Sequence, residues 1–406
     1  MQVRQKVYEK DLALSYSPFL PILGTGLVTS DGALWSKQRA LIGPALRMDI
    51  LDDIIGIAKT SVDELCVKLE PFRGTGTPVD IEKEFRLLTL QVIGMAILSM
   101  APEECDRVFP ALYLPVMEEA NLRVLRPHRK FLPTPSWFQF RSRMAKLNTF
   151  LIGYCRARWQ ARQARHAQGG DGNVPGARAD ILDRVLESIE TAGGKWDTAL
   201  EIQLCYDIKT FLLAGHETSA AMLSWSLYEM TQSESITQQV HQEADQVFGE
   251  AESEPSRRAV DGMTYTLSVL KEALRKYSVV PVVTRTVAAD DELLGHKIPR
   301  GTMVACNLQA THNMWQRPRE FLPERFMPGG EFDQFDESER TYMFVPFIQG
   351  PRNCLGQHLA LLEARVVLSL LTKRFRFRMA SEAGHGQRHP TVIPVGPLHE
   401  LLMLID

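Results

Sequence analysis

Between about Asp197 and Met230 the chain encodes one long helix. Leu204, Ile208, Phe211, Gly215, Thr218, Met222 and Trp225 return at alternating spacings of four and three, the repeat of a single helical stripe. Its centre, Phe211–Ala214, is apolar on all sides. A helix of about 30 residues is about 45 Å long, enough to cross a whole domain, so its middle is expected to be buried. Polar groups buried there need partners or a purpose, which singles out Gly215, Glu217 and Thr218.

The rest of the chain is arranged to enclose such a helix. With 406 residues, 45% of them apolar, it can bury a large core without disulfides. No low-complexity linker divides it, so one domain over 1–406 is the expectation. The first two thirds follow the helical period. A short helix carries Leu267, Leu270, Leu274 and Tyr277 and ends before Pro281. Short strands follow at Val279–Thr286 and Thr302–Leu308, and a last helix carries Leu355, Leu359, Leu362, Val366 and Leu370. The fold class is therefore mainly α, an α+β domain with small sheets. Two polar stretches, His166–Ala179 and Gly249–Gly262, read as surface loops, and Gly24-Thr25-Gly26 as a bend.

Charge and cysteine usage exclude several functions. A net charge of −3 with interleaved signs gives no reason to expect a nucleic-acid partner, and the basic run Arg123, Arg126, Arg129, Lys130 reads as a solvated face. The six cysteines are widely spaced and suit a reducing compartment. No apolar run is long enough to span a bilayer. His385 and His389 are four apart, but the surrounding Gly384, Gly386 and Pro390 argue for a loop and against a metal site.

One cysteine stands apart. In Phe347-Ile348-Gln349-Gly350-Pro351-Arg352-Asn353-Cys354-Leu355-Gly356 it lies between two glycines at the foot of an amphipathic helix. Glycines let the backbone approach a flat ligand closely. The helix N-terminus offers unpaired N–H groups and positive dipole to a thiolate, which would hold Cys354 ionised as a ligand to iron.

This loop closely resembles the haem loop of the cytochrome P450 superfamily, matching each fixed place at Phe347, Gly350, Arg352, Cys354 and Gly356. Three other sets of residues carry the same resemblance. Ala214-Gly215-His216-Glu217-Thr218 is similar to the oxygen-activation segment, which implies that Thr218 hydrogen-bonds bound oxygen and Glu217 relays protons to it. Glu272 and Arg275, with Arg325, are similar to the family's structural Glu-Arg-Arg cluster. Trp35 and Arg39, one turn apart, together with Arg285 and Arg352, are similar to the partners of the haem propionates, for which a guanidinium fork is suited.

The resemblance runs from about Leu20 to the end and is closest to microsomal-type members from plants or algae. It implies a triangular helical prism with haem b between the long helix and the Cys354 helix. The implied reaction inserts one atom of O2 into a lipophilic substrate. Electrons would come from a separate donor, an NADPH-cytochrome reductase or a ferredoxin-type protein, since no flavin or nicotinamide motif is present. Leu213, Val280, Val282, Val283 and Ile393 are expected to line the substrate pocket. Eukaryotic members carry an N-terminal membrane anchor and first sheet strands, expected to be missing here; membrane association is expected of the full-length form, on endoplasmic reticulum or plastid, and the residues do not say which. Two rivals are a non-catalytic haem-binding fragment and an O2-independent peroxide isomerase or dehydratase. Retention of Glu217 and Thr218 counts against the second.

Overall fold

The computed structural model describes residues 8–12, 15–46, 50–170, 172, 179–249, 255–381, 387 and 394–406. The central helix spans Thr198–Thr231. Asp197 caps it, its carboxylate accepting the Leu200 N–H at 2.7 Å, which satisfies one of the orphan donors of the first turn and complements the dipole.

Helices Ile81–Leu98, Pro135–Ala167, Thr264–Tyr277 and Gln357–Arg374 all pack against this axis. The most extensive of these contacts is with Ile81–Leu98. A Cβ added at Gly215 would lie 2.6 Å from Ile93 Cγ1, so the glycine is what lets the two helices approach there. Beside it the Thr89 hydroxyl donates to the His216 carbonyl at 2.9 Å. The bend at Gly24–Gly26 lies against the first half of the central helix, with no room for a side chain beside Tyr206 and Thr210. At the other end, Ser219 Oγ donates to Glu363 Oε2 at 3.4 Å, joining the central helix to the helix that follows Cys354.

Three small antiparallel sheets complete the fold. In the first, β1 (Tyr8–Lys10) and β6 (Met303–Asn307) flank β3 (Val282–Val287), with Lys10 opposite Arg285 and Val283 opposite Cys306. In the second, β8 (Leu402–Ile405) lies between β2 (Val79–Asp80) and β7 (Phe377–Met379); β4 (Asp291–Leu293) and β5 (His296–Ile298) form a hairpin. The chain is mainly helical with small sheets, as its periodicity implies. Among the described residues no single helix is long and apolar enough to cross a membrane.

Some local expectations need correction. The stretch 249–262 contains a short helix, Arg257–Asp261, capped by the Ser256 side chain. Leu355 precedes the last helix, which begins at Gln357. The basic run is only partly a solvated face: Arg123 is buried, and it and Arg129 both donate to Glu119, at 3.0 and 2.6 Å. A carboxylate one helical turn before Arg123 turns that side chain inward. His385 and His389 lie outside the described residues.

Candidate active site

The middle of the central helix is not buried all round. Leu212, His216 and Glu217 are buried, but Phe211, Leu213 and Thr218 are half-buried and Ala214 is exposed. Phe211, Ala214 and Thr218 are spaced as one face. An open face in the middle of a helix packed on its other sides marks an internal cleft. On that face Thr218 Oγ1 donates to the Ala214 carbonyl at 2.6 Å, the back-bond by which a threonine competes for the helix ladder. The helix remains continuous there. An added side chain at Gly215 would meet Ile93, so the glycine serves helix packing.

Cys354 is the second wall. Of the six cysteines it alone is exposed; Cys306 is partly buried and the other four are buried. Its loop is built tightly. The Cys354 N–H donates to the Phe347 carbonyl at 2.9 Å, and both Ile348 and Gly350 hold positive φ, 61° and 88°. For a β-branched residue such as Ile348 that conformation is strained. The free thiol is pushed above its usual range, first by burial, against the opposing Gly356 N–H and Arg39 charge. Burial therefore opposes the ionisation that the helix terminus and Arg39 favour. A thiol that is crowded by protein and also accessible lies at the wall of a cleft, and a coordinated metal would supply the charge that deprotonates it.

Beside the loop four cations converge. Arg352 stacks 4.2 Å over the Trp35 ring and pairs with Asp31; Arg39 lies 5.9 Å from the same ring. Arg285 is buried, and its Nη1 donates to the Thr284 carbonyl at 2.7 Å. Lys10, opposite it in the sheet, donates to Tyr16 Oη at 3.1 Å. Burial pushes Lys10 down to about 7, with Arg285 and Arg352 pushing the same way. Positive charges crowded to that extent favour an anion among them. Arg39, expected at a carboxylate, instead donates to the Asn353 carbonyl and Oδ1 at 2.8 and 2.5 Å and so braces the cysteine loop. Lys10 and Tyr16 escaped the sequence reading because nothing in their neighbourhood marks them; the pairing of β1 with β3 brings them in.

Glu272, Arg275 and Arg325 do come together. Arg275 donates twice to Glu272, at 2.7 and 2.8 Å, and Arg325 Nε donates to it at 3.2 Å, with all three buried. The expected pocket residues divide. Leu213 and Val280 are half-buried. Val282 and Val283 are neighbours on β3 and face opposite sides, and Val283 shares its side with Arg285. Only one of the two valines can line a cleft that Arg285 faces. Ile393 lies outside the described residues.

An exposed thiol, an open face on the central helix and a cluster of cations fit haem: a sulfur that could hold iron, a face open to oxygen and charges for two carboxylates.

Comparison with known proteins bears on the same group. The family model "Cytochrome P450" matches residues 5–397. Cytochrome P450 4c21 of Blattella germanica is 29% identical over 385 residues, 92% of this chain and 75% of that protein. Protein LUTEIN DEFICIENT 5, chloroplastic, of Arabidopsis thaliana is 30% identical over 399 residues, 93% of this chain and 63% of its own length. Carotene epsilon-monooxygenase, chloroplastic, from the same plant is 28% identical, covering 92% and 70%. The crystal structure of the cytochrome P450DA heme domain shares the fold with a TM-score of 0.82 at 22% identity, covering 99% of this chain and 84% of that one. The chain belongs to the cytochrome P450 family, and it is an oxidoreductase of the monooxygenase type, with haem as cofactor and O2 as co-substrate.

Proposed function

We propose that Cys354 would hold the haem iron through its thiolate and that the chain hydroxylates a lipophilic small molecule in the cleft between the cysteine loop and the open face of the central helix. The observation that carries the reading is the exposure of Cys354, alone among the six cysteines, in a loop held by its own backbone hydrogen bond to Phe347. Bound there, haem supplies the activation of O2, and a thiolate ligand favours O–O cleavage.

The surrounding residues then have distinct tasks. Arg285, Arg352 and Lys10 offer charge to the propionates, with Trp35 holding Arg352 in place by stacking. Arg39 fixes Asn353 and thereby the register of the cysteine loop. The Thr218 hydroxyl sits on the open face as hydrogen-bond donor, and Glu217, next to it in sequence, is the acid that replenishes its proton. Phe211, Ala214, Val280 and Val283 make the substrate side apolar, while Leu213, one helical turn from Glu217, lies off that face. Two electrons arrive from a separate NADPH-dependent reductase or a ferredoxin-type donor. The Arabidopsis relative named a carotene epsilon-monooxygenase is the reason to begin substrate screening with carotenoids and to extend it to other terpenoids and fatty acids.

The test is the absorption spectrum of the dithionite-reduced, haem-loaded chain under carbon monoxide. A thiolate-ligated haem gives a far-red Soret band; Cys354→Ser should abolish it, whereas serine at any of the other five cysteines should leave it. Persistence of the band in Cys354→Ser would exclude this cysteine as ligand.

A further inference from the structure

Ahead of the cysteine loop, Met343, Phe344 and Val345 are gripped by side chains from one distant segment. The short helix Leu308–His312 follows directly on β6, and His312 and Trp315 at its far end are both buried. Trp315 Nε1 donates to the Met343 carbonyl at 2.9 Å, and His312 Nε2 accepts the Val345 N–H at 3.1 Å. The Phe344 ring lies against both, 5.7 Å from the imidazole and 6.4 Å from the indole.

A backbone N–H can only donate, so Nε2 is the acceptor nitrogen of His312 and the ring proton is on Nδ1. That proton has its own partner, since Nδ1 lies 2.6 Å from Ser278 Oγ. Ser278 stands at φ 45° just past the helix Thr264–Tyr277, and its hydroxyl donates to the Arg275 carbonyl at 3.5 Å. The bonds therefore run in one direction, from Val345 through His312 and Ser278 to Arg275, and Arg275 Nη1 donates back to the His312 carbonyl at 3.4 Å. Burial, with the Arg275 charge, pushes the imidazole down to about 4, so Nε2 keeps its lone pair at pH 7.

What Val345 holds is the turn that presents Cys354. Its carbonyl accepts the Ile348 N–H at 3.1 Å, and the Phe347 carbonyl accepts the Cys354 N–H at 2.9 Å. Ile348 stands at φ 61°, and a β-branched residue keeps that conformation only where its surroundings over-determine it. Bonds within the loop fix its shape but not its attachment. The imidazole ties its root to the Glu272–Arg275 cluster, and without that acceptor the N–H of the buried Val345 would be left unpaired.

We propose that His312 is a positioning residue for the cysteine loop: by accepting the Val345 N–H at Nε2 and anchoring Nδ1 on Ser278, it fixes the turn from which Cys354 would hold iron. The proposal rests on the reading of Cys354 given above. His312 acts through the backbone of Val345–Phe347, and no proton or electron passes through it.

The test separates the two ring nitrogens. Glutamine brings its Oε1 to the place of Nε2 and keeps an acceptor for Val345; asparagine brings an amide donor to the place of Nδ1 and leaves Val345 without one. His312→Gln, His312→Asn and Ser278→Ala are made in the haem-loaded chain, beside Leu147→Ala, a cavity in the buried face of helix Pro135–Ala167, as the control for lost stability alone. Three quantities are read: hydrogen exchange at the Val345 amide, the share of reduced, carbon monoxide-bound haem in the far-red band, and the midpoint reduction potential. His312→Asn should speed the exchange and raise the ratio of haem outside the far-red band to haem within it about tenfold. It should also raise the potential, because a thiolate held less firmly stabilises ferric iron less. His312→Gln should return all three toward the parent, Ser278→Ala should fall between, and Leu147→Ala should lower the thermal midpoint and leave the three unchanged. If His312→Gln loses the band as fully as His312→Asn, or Leu147→Ala loses it as fully for an equal fall in thermal midpoint, the imidazole contributes packing alone and the proposal fails. Quickened exchange in His312→Asn with band and potential intact would show that the loop needs no such anchor. Should His312→Asn not fold, Ser278→Ala decides, and an unchanged band and potential there overturns the proposal. Persistence of the band in Cys354→Ser is a different failure, of the reading of Cys354, and takes this proposal with it.

Discussion

Glu363 is 1% exposed on the helix that follows Cys354, and its Oε1 has no partner. The Ser219 hydroxyl donates weakly to Oε2, and burial pushes the carboxyl up to about 8 from an ordinary 4.5. Between those values the folded chain holds a proton that the unfolded chain has released. The stability from this neutral acid is fully present below 4.5 and is lost as pH rises through about 8. Glu363→Gln should therefore flatten the fall in urea midpoint over that window and be the more stable protein above it. Parallel pH profiles for parent and variant would mean that the carboxyl is charged in the fold. At this scale Cys354 and Thr218 are legible in the sequence, because each sits in a spaced pattern. Glu363 is not: an acid in an amphipathic helix gives no sign of being sealed off until the helices are packed.

For the elements, the central helix poses a contest that magnitudes can decide. Replacing Gly215 by alanine gains about 1 kcal/mol of helix propensity. The added Cβ would lie 2.6 Å from Ile93 Cγ1 and 3.2 Å from Ile93 Cβ, and overpacking of that kind costs about 1–3 kcal/mol. Gly215→Ala should therefore lower the thermal midpoint despite its better propensity, and Ile93→Ala in the same chain should recover part of the loss in a double-mutant cycle. A stabilised single variant would show that Ile93 yields freely. The helix itself, from cap to last turn, is legible as periodicity. Which of its faces is left open is not, since Phe211–Ala214 is apolar throughout. Only the neighbours that cover Leu212 and His216 and leave Ala214 exposed decide that.

For the whole molecule, the Glu272 cluster ties the helix Thr264–Tyr277 to the loop that precedes the cysteine region. Beyond the two arginines, Glu272 accepts the Leu322 N–H at 2.9 Å, and Arg275 donates to the Pro318 and Glu320 carbonyls at 2.9 and 3.0 Å. Removing one member of a buried ion cluster leaves uncompensated charge and costs about 3–5 kcal/mol. Glu272→Ala should cost that much, read as a lower urea midpoint, and should reduce the haem retained through purification; Glu272→Gln, which keeps the hydrogen-bond acceptor, should lose less. Full haem content with an unchanged midpoint would show that the cluster is dispensable.

The sequence by itself determined the family, the long helix and the Glu272–Arg275–Arg325 set, and it marked out the cysteine loop, because each is carried by spacing along the chain and local spacing survives without knowledge of the fold. The tertiary structure decided which atoms meet. It put Arg39 on the cysteine loop, brought Lys10 beside Arg285 through a strand pair 275 residues apart in sequence, separated Val282 from Val283 across a sheet, and paired Glu217 with Arg86. Contacts of that separation depend on packing and burial, which set charge and accessibility and leave no periodic trace in the chain.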